Sequence, residues 1–212
     1  GVCITQAVNE GAPLVYGSMP TVFDMQTTIG SYAAPEFHLA IAAASEMADY
    51  YGLPFFGTAS CSDAKTVDPQ AMAEVTMELF STSLSKANIV HDIGVMDHCN
   101  SVSPAMAVLA NEVINQMKNY CKGVEVNEET LALDVIQDVG FGGHYLQHTH
   151  TFSNFKEIWY PELFGRKMEN PDESEIMTNV VKKIENILEN HTIPELDSDI
   201  LEKLAKWEEK YK

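Results

Sequence analysis

The sequence predicts an α/β fold in which short parallel strands alternate with long helices. Three units follow one another, each a β-type run, then a loop, then a helix with proline in its first turn. Proline at the first helical position, often after a Ser or Asp cap, is typical of a helix start. One strand and one helix per unit predict parallel strands, in either a barrel or a doubly wound sheet.

The elements follow in order from these signals. The first unit is a strand over 14–18 with a helix from Pro35 to about Gly52. The second is a strand over 54–60 with a helix that is capped by Asp68 and runs from Pro69 to about Ser85. The third is a strand over 88–93 with a helix that is capped by Ser103, runs from Pro104 to about Lys122 and is stopped by Gly123. The prolines recur at a period that also suits helical-hairpin repeats. The β-type runs LVYGS, PFFGTAS and NIVHDI favour one strand per repeat instead.

A barrel fits better than a doubly wound sheet. The loops after the strands are long, as in barrels that build their sites there, and no glycine fingerprint for a dinucleotide follows any strand. Gly140, Gly142 and Gly143 follow a predicted helical stretch over 127–139 and read as its stop. Only three or four units fit in the chain, whereas a closed barrel needs eight. We therefore expect the C-terminal part of a (β/α)8 TIM barrel, with GVCITQAVNEG as the end of an entering helix.

Residues 1–170 are predicted to hold the barrel units, and residues 171–212 a helical extension that packs on the barrel. Two amphipathic helices are expected from about Ser174. Their apolar stripes are Ile176, Val180, Val181, Ile184 and Ile187, then Ile200, Leu201, Leu204, Trp207 and Tyr211. A partial barrel exposes sheet edges, so we also expect self-association as a homo-oligomer.

Charge and composition limit the classes of function. The 212 residues carry a net charge of -18, and residues 1–150 hold four lysines and no arginine against seventeen Asp and Glu. Nucleic-acid binding needs a basic surface and is excluded. A cationic ligand suits this field, although an acidic surface also serves solubility alone. The four scattered cysteines, with no bilayer-spanning run and no secretory signal, predict reduced thiols in a cytoplasmic protein off the membrane.

Candidate site residues lie at the carboxyl ends of the strands, where barrel enzymes place their chemistry. We single out Tyr16 at the end of the first strand with Asp24 in the following loop, Asp63 and Lys65 after the second strand, and His91 at the end of the third. Further strand-end residues are Ser18, Met19, Thr58, Ser60, Cys61, Ser62, Asp92, Met96, Asp97 and His98. Structural roles remain open, because Asp63 can cap a turn and His91 closes an apolar run.

The segment GGHYLQHTHT holds the densest group of titratable side chains. His144, His148 and His150 form an H-x3-H-x-H pattern, and such a pair on a strand can share a zinc ion. This makes a metal-dependent hydrolase using His148 and His150 the alternative function. The other interpretation is that these histidines order a turn by hydrogen bonding to the backbone. No further metal-type cluster accompanies them in the sequence, so we favour the ordering role.

Aromatic residues also gather near the predicted strand ends and loops. They are Tyr16, Phe23, Tyr32, Phe55, Phe56, Tyr145 and Phe152. An aromatic wall with nearby carboxylates suits a quaternary ammonium ligand through cation–π attraction. Aromatic residues are also common core residues, so this pattern does not settle the ligand.

Four stretches of the sequence are distinctive when taken together: GAPLVYGSMPTVFDMQT, APEFHLAIAAASEMADYYGLP, GTASCSDAKTVDPQA and VEVNEETLALDVIQDVGFGGHYLQHTHT. Together they resemble the trimethylamine methyltransferase family of corrinoid-dependent enzymes. The last is the most specific, and the resemblance covers nearly the whole chain as the C-terminal half of a longer member. It implies a (β/α)8 barrel, which agrees with the interpretation of the strands and helices.

The resemblance also implies a reaction and a partner. A methyl group passes from a methylated amine to the Co(I) of a corrinoid carried by a separate small protein, so no tightly bound cofactor is expected. Members that use trimethylamine carry pyrrolysine. No pyrrolysine is present in this sequence, so the sequence resembles the branch that demethylates glycine betaine. The alternative is that the pyrrolysine position lies upstream of these residues. The carboxylate of a betaine needs a donor, for which His91 or Lys65 is predicted; an inactive fragment with an assembly role is the remaining alternative.

Overall fold

The structure is a computed structural model that describes residues 1–166 and 174–211. The strands are β1 (Tyr16–Gly17), β2 (Val22–Phe23), β3 (Gly30–Ser31), β4 (Phe55–Thr58), β5 (Ile89–His91), β6 (Val95–Met96) and β7 (Ser101–Val102). The helices are α1 (Val2–Val8), α2 (Pro35–Tyr51), α3 (Pro69–Leu84), α4 (Pro104–Cys121), α5 (Glu128–Leu131), α6 (Leu133–Val139), α7 (Thr149–Asn154), α8 (Ser174–Asn190) and α9 (Ser198–Tyr211).

β1, β4 and β5 pair in that order as a parallel sheet, which is the α/β arrangement that the sequence predicts. Tyr16 lies opposite Phe55, and Phe56 lies opposite Ile89. The strands are shorter than predicted because the ladder ends where the loops diverge. Two antiparallel hairpins, β2–β3 and β6–β7, were not predicted, since each strand has only two residues and no alternating pattern.

The predicted helix starts are confirmed for α2, α3 and α4. Each begins with its proline, whose fixed φ suits the first helical turn. The carboxylate of Asp68 accepts a hydrogen bond from the backbone N–H of Ala71, and the Ser103 hydroxyl accepts one from Met106. Gly52, with φ of 65°, ends α2 in the left-handed conformation that glycine adopts without strain.

Ser103→Ala is expected to destabilise the protein by about 1 kcal/mol, because the N–H of Met106 loses its side-chain acceptor. For a chain of this size that lowers Tm by about 2–4 °C. Differential scanning calorimetry measures the shift. Ser101→Ala, two residues away in β7, is the control and is expected to leave Tm within about 1 °C.

The helices cover the sheet on one face and bury a core there. One cluster lies between α2 and the sheet and includes Phe37, Ile41 and Phe55. Another joins α3, α4 and α8 through Val75, Met106, Leu109, Val113 and Val180. Both clusters draw on helix positions three or four residues apart, the spacing that places side chains on one face.

The predicted helix over 127–139 is wrong as a single element. It is divided into α5 and α6 at Ala132, whose φ of 47° and ψ of 44° are left-handed. Asn127 and Thr130 form a capping box that starts the short α5. Gly140 does end α6, as predicted, with a positive φ.

The C-terminal helices differ in their packing. α8 lies against α4 through the buried Val180 and the partly buried Ile176 and Ile184. The apolar stripe of α9 is exposed at Ile200, Leu201, Leu204 and Trp207. The packing of α9 on a barrel stays a prediction. The predicted domain boundary at 170/171 and the side chain of Tyr211 lie outside the described residues, so the boundary also stays a prediction. Among the helices of the described ranges, none is long and apolar enough to cross a membrane.

Candidate functional site

The carboxyl ends of the parallel strands bring the candidate residues of three loops to one edge of the sheet. Ser60 follows β4 with φ of 74°, and Asp92 follows β5 with φ of 73°. The loop beyond β5 adds three consecutive left-handed residues, Asp97, His98 and Cys99. Each such non-glycine conformation costs about 1–2 kcal/mol, and strain of this kind concentrates at functional sites.

His91 is held on three sides by its neighbours. Its Nε2 lies 3.1 Å from the hydroxyl oxygen of Thr58, and its Nδ1 lies 2.6 Å from a carboxylate oxygen of Asp92. The ring stacks on Phe56 with 4.4 Å between centroids and 24° between planes. Because carboxylates only accept, Asp92 fixes the proton on Nδ1 and leaves Nε2 to accept from Thr58 in the neutral ring. Both nitrogens therefore already have partners.

This stack lines an open concavity of about 610 Å³ on the sheet face opposite the helices. Phe56 and Ile89 are neighbours in the ladder, and both are partly exposed to this space. The full lining is Val15, Gly17, Ser18, Met19, Phe56, Ile89 and His91. An aromatic face in a mostly apolar hollow, backed by the Asp92 carboxylate, is suited to an organic cation.

Asp63 forms a second centre, in the loop after β4. Its carboxylate accepts hydrogen bonds from the hydroxyl of Ser31, from the N–H of Tyr32 at 3.0 Å and from the N–H of Ala33 at 3.4 Å. The Nδ1 of His98 lies 3.0 Å from the same carboxylate and 3.1 Å from the carbonyl oxygen of Gly30. Asp63 therefore fastens the β2–β3 hairpin to the strand ends.

The other predicted substrate-binding residues, Tyr16, Asp24 and Lys65, do not line the concavity. Tyr16 packs on Tyr51, with ring centroids 6.1 Å apart, on the helix side of the sheet. Asp24 closes its own turn, where hydrogen bonds from Thr27 and Gln26 lower the pKa of its carboxyl. Lys65 has an 80% exposed side chain, 3.9 Å from Asp97. Their substrate roles stay predictions.

The metal hypothesis required the histidine segment to be a strand, but the segment is helical at residues 149–154. His148 precedes α7, and its Nδ1 accepts a hydrogen bond from the N–H of His150 at 3.1 Å. Its Nε2 lies 3.4 Å from the Asp138 carboxylate, while His144 is exposed. Across residues 1–166 and 174–211, no group of three or more His, Cys, Asp or Glu side chains is arranged to hold a metal ion.

Glu78 was missed because it lies in the middle of α3, far from any strand end in sequence. Its side chain is 1% exposed, and one carboxylate oxygen accepts the N–H of Cys61. Burial raises the pKa of this carboxyl to about 8. Its spacing from the buried Ala71, Val75 and Thr82 was the available signal, since a Glu in an apolar helix stripe needs a buried partner.

Comparison with known proteins identifies the family. The model of the trimethylamine methyltransferase family matches residues 1–212. A glycine betaine methyltransferase of Desulfitobacterium hafniense (strain Y51) is 33% identical over 209 residues, 96% of this chain and 44% of that protein. The trimethylamine methyltransferase MttB of Methanosarcina barkeri (strain Fusaro / DSM 804) is 34% identical over 205 residues, 95% of this chain and 41% of that protein.

The chain thus spans less than half the length of these relatives and corresponds to their C-terminal part. The match extends through the strand ends, the concavity and the histidine segment. The chain therefore belongs to the trimethylamine methyltransferase family.

Proposed function

We propose that the protein transfers a methyl group from a quaternary amine, such as glycine betaine, to the Co(I) corrinoid of a partner protein. The observation that carries this proposal is the Phe56–His91 stack that lines the open concavity. The names of the relatives, a glycine betaine methyltransferase and a trimethylamine methyltransferase, support methyl transfer from a methylated amine. The resemblance to members without pyrrolysine favours the betaine.

The local charge supports a cationic substrate. The concavity presents an aromatic face, whose negative quadrupole attracts an ammonium group. The Asp92 carboxylate lies 2.6 Å from the ring that lines it, and acidic residues outnumber lysines throughout residues 1–150. A field of one sign raises the local concentration of oppositely charged ligands.

The chemistry demands little proton transfer from these residues. When a quaternary amine loses a methyl group, the electron pair of the broken C–N bond stays on nitrogen, and a neutral tertiary amine leaves. The Co(I) corrinoid supplies the electron pair for the new bond. Phe56 then holds the ammonium group, while Met19 and Ile89 limit its access to water. Holding the methyl carbon in line for attack is the main contribution of the chain.

An acceptor brought by a second protein fits the shape of this site. The concavity is open to solvent along one side, and its lining is mostly apolar. A large flat ring can approach such a face without displacing a polar side chain. We further infer that β1, β4 and β5 form an arc of a TIM barrel, in keeping with their parallel order and with the greater length of the relatives.

Recognition of the betaine carboxylate falls to a donor other than the His91 ring nitrogens. Both nitrogens face partners, Thr58 and Asp92, so His91 contributes its ring rather than a free N–H. Lys65 keeps an exposed ammonium group and stays the predicted donor. In the protein at its full encoded length, Lys65→Ala is expected to weaken betaine binding more than choline binding, since choline has no carboxylate.

Phe56→Leu is expected to lower the affinity for glycine betaine about 3- to 30-fold, the range that a lost cation–π contact represents. Isothermal titration calorimetry with the full-length protein measures the Kd. The neutral isostere 3,3-dimethylbutanoate, with carbon in place of nitrogen, separates cation recognition from apolar packing. Its affinity should change much less. Phe152→Leu, an exposed ring on α7, is the matched control. An equal loss for both ligands would show that Phe56 acts by packing alone.

The function itself is tested by methyl transfer in the full-length protein. Co(I)-cobalamin is supplied, alone and on candidate corrinoid proteins, and its methylation is followed by absorbance with glycine betaine, other betaines and trimethylamine. Methylation by a betaine supports the proposal. Methylation by trimethylamine alone would contradict the substrate, and no methylation by any amine would contradict the reaction.

A further inference from the structure

The β2–β3 hairpin presents a group of apolar side chains to solvent. Met25 is 83% exposed, and Phe23 and Ile29 on either side of it are also exposed. Apolar side chains that are exposed one at a time are common on protein surfaces, whereas several on one short element mark a contact surface. Phe23, Met25 and Ile29 are called the hairpin tip below.

The turn that carries the hairpin tip is closed by its own hydrogen bonds. The carboxylate of Asp24 accepts from the N–H of Gln26 at 2.9 Å and from the hydroxyl of Thr27 at 2.6 Å. The N–H of Asp24 donates to the carbonyl of Ile29 at 2.9 Å, and the N–H of Thr28 donates to the carbonyl of Asp24 at 2.8 Å. A turn that is already ordered loses little conformational freedom when a partner binds it.

The hairpin is also held beside the concavity. Its second strand is fastened by Asp63, whose carboxylate accepts from the N–H of Tyr32 at 3.0 Å. The Nδ1 of His98 lies 3.1 Å from the carbonyl oxygen of Gly30 in the same strand. The first strand, β2, begins three residues after Met19, which lines the concavity. The hairpin tip therefore lies at the border of the candidate site.

We propose that the hairpin tip is a docking surface for the partner protein that carries the corrinoid. This inference rests on the proposed methyl transfer, in which the Co(I) acceptor must reach a methyl carbon in the concavity. A standard interface covers about 800 Å² on each partner and so extends roughly 16 Å from its centre. The six residues from Met19 to Met25 span at most about 20 Å, and the turn shortens that distance. A partner that is seated over the concavity therefore also covers the hairpin tip.

The composition of the hairpin predicts the surface that the partner presents. Asp24 is the one charged residue in the sequence 22–31, and its carboxylate is bonded within the turn. The tip itself is apolar, and the thioether of Met25 is flexible and polarisable, which suits contact with irregular apolar surfaces. We therefore expect an apolar patch next to the corrinoid of the partner. Free cobalamin has no such patch, so it should not use the hairpin tip.

Met25→Asp in the full-length protein tests the inference, because burying an unpaired carboxylate opposes an apolar contact. The acceptors are free Co(I)-cobalamin and the candidate corrinoid protein that the parent methylates fastest, with saturating glycine betaine. We expect KM for the corrinoid protein to rise about tenfold or more, the scale of an interface hot spot, with kcat within about twofold. The rate with free cobalamin should stay within about twofold of the parent rate.

Met77→Asp is the matched control, since it places the same charge at an exposed methionine of α3. Its KM for the corrinoid protein should equal that of the parent. Phe23→Ala, which adds no charge, should raise this KM in the same direction as Met25→Asp.

The outcomes separate docking from the other roles of the hairpin. The inference is overturned if Met25→Asp changes neither rate, if the rates with both acceptors fall together, or if the parent methylates free cobalamin but no corrinoid protein. It is also overturned if Tm of Met25→Asp lies more than about 3 °C below that of Met77→Asp, since the hairpin tip then packs within the full-length protein or against a second copy. Methyl transfer to neither acceptor by the parent would contradict the proposed function itself.

Discussion

Glu78→Gln is expected to leave stability nearly unchanged at pH 5 and to raise it increasingly toward pH 8. The Glu78 side chain is buried on the sheet-facing side of α3, where burial raises the pKa of its carboxyl from 4.5 to about 8. Gln has nearly the same shape and has no proton to lose. The difference in stability between the variant and the parent therefore isolates the titration of this one group.

The direction follows from proton uptake on folding. Between pH 4.5 and 8 the folded protein keeps the Glu78 proton, while the unfolded chain releases it. The contribution is thus fully present below the unfolded pKa and is lost as pH rises through the folded pKa. The slope inside this window is about 1.4 kcal/mol per pH unit. For a chain of this size, that slope corresponds to a few degrees of Tm per unit.

The surroundings of Glu78 explain why the proton is retained. The backbone N–H of Cys61 donates to the carboxyl and lowers its pKa, but it does not offset burial, and the charges of Asp92 and Asp63 raise the pKa further. Within the described part of the chain, Oε1 of Glu78 has no hydrogen-bond partner. A protonated or amide group meets that environment at lower cost than a carboxylate does.

Calorimetric Tm values at pH 5, 6, 7 and 8 provide the measurement. Burial lowers the pKa of His38, so protonation of the unfolded chain at this residue lowers the stability of the protein as pH falls below about 6.5. This effect is the same in the parent and in Glu78→Gln and cancels in their difference. Glu46→Gln, which removes the same charge from an exposed position on α2, is the control and should shift Tm equally at every pH. A constant Tm difference for Glu78→Gln from pH 5 to pH 8 would show that Glu78 is already ionised in the folded protein.

Local signals explain which parts of the fold were predictable. The starts of α2, α3 and α4 were correct because proline, and in α3 and α4 also a side-chain cap, acts within one helical turn. Strand lengths and the β2–β3 hairpin depend on contacts distant in sequence; the hairpin is held by Asp63, about thirty residues away. The break at Ala132 was missed because Ala normally favours helix, and only the surrounding structure places it in the left-handed region.

The candidate site divides in the same way. Parallel strands with long following loops predicted that Asp63 and His91 would lie at one edge, and both lie there. The partners of these residues were not predictable, because Phe56 meets His91 and His98 meets Asp63 only through the packing of separate units.

Asp63→Ala is expected to cost on the order of 3 kcal/mol of stability, because it leaves several donors without their acceptor. Its carboxylate, whose side chain is 14% exposed, accepts from Ser31, Tyr32 and Ala33 and pairs with His98. A Tm lower by about 6–12 °C should follow in a chain of this size. Asp63→Asn keeps one acceptor oxygen and should lie between the parent and the alanine variant.

Binding and stability together decide what Asp63 does. Asp24→Ala removes an exposed carboxylate that bonds only within its own turn, so it should lower Tm by less than about 3 °C. If Asp63 acts by fastening the hairpin, Asp63→Asn should lower Tm. Its affinity for betaine, measured well below that Tm, should then change by less than about tenfold. A loss of affinity above tenfold with unchanged Tm would instead favour a contact of the Asp63 carboxylate with the substrate cation, because loss of the hairpin bonds is expected to lower Tm as well.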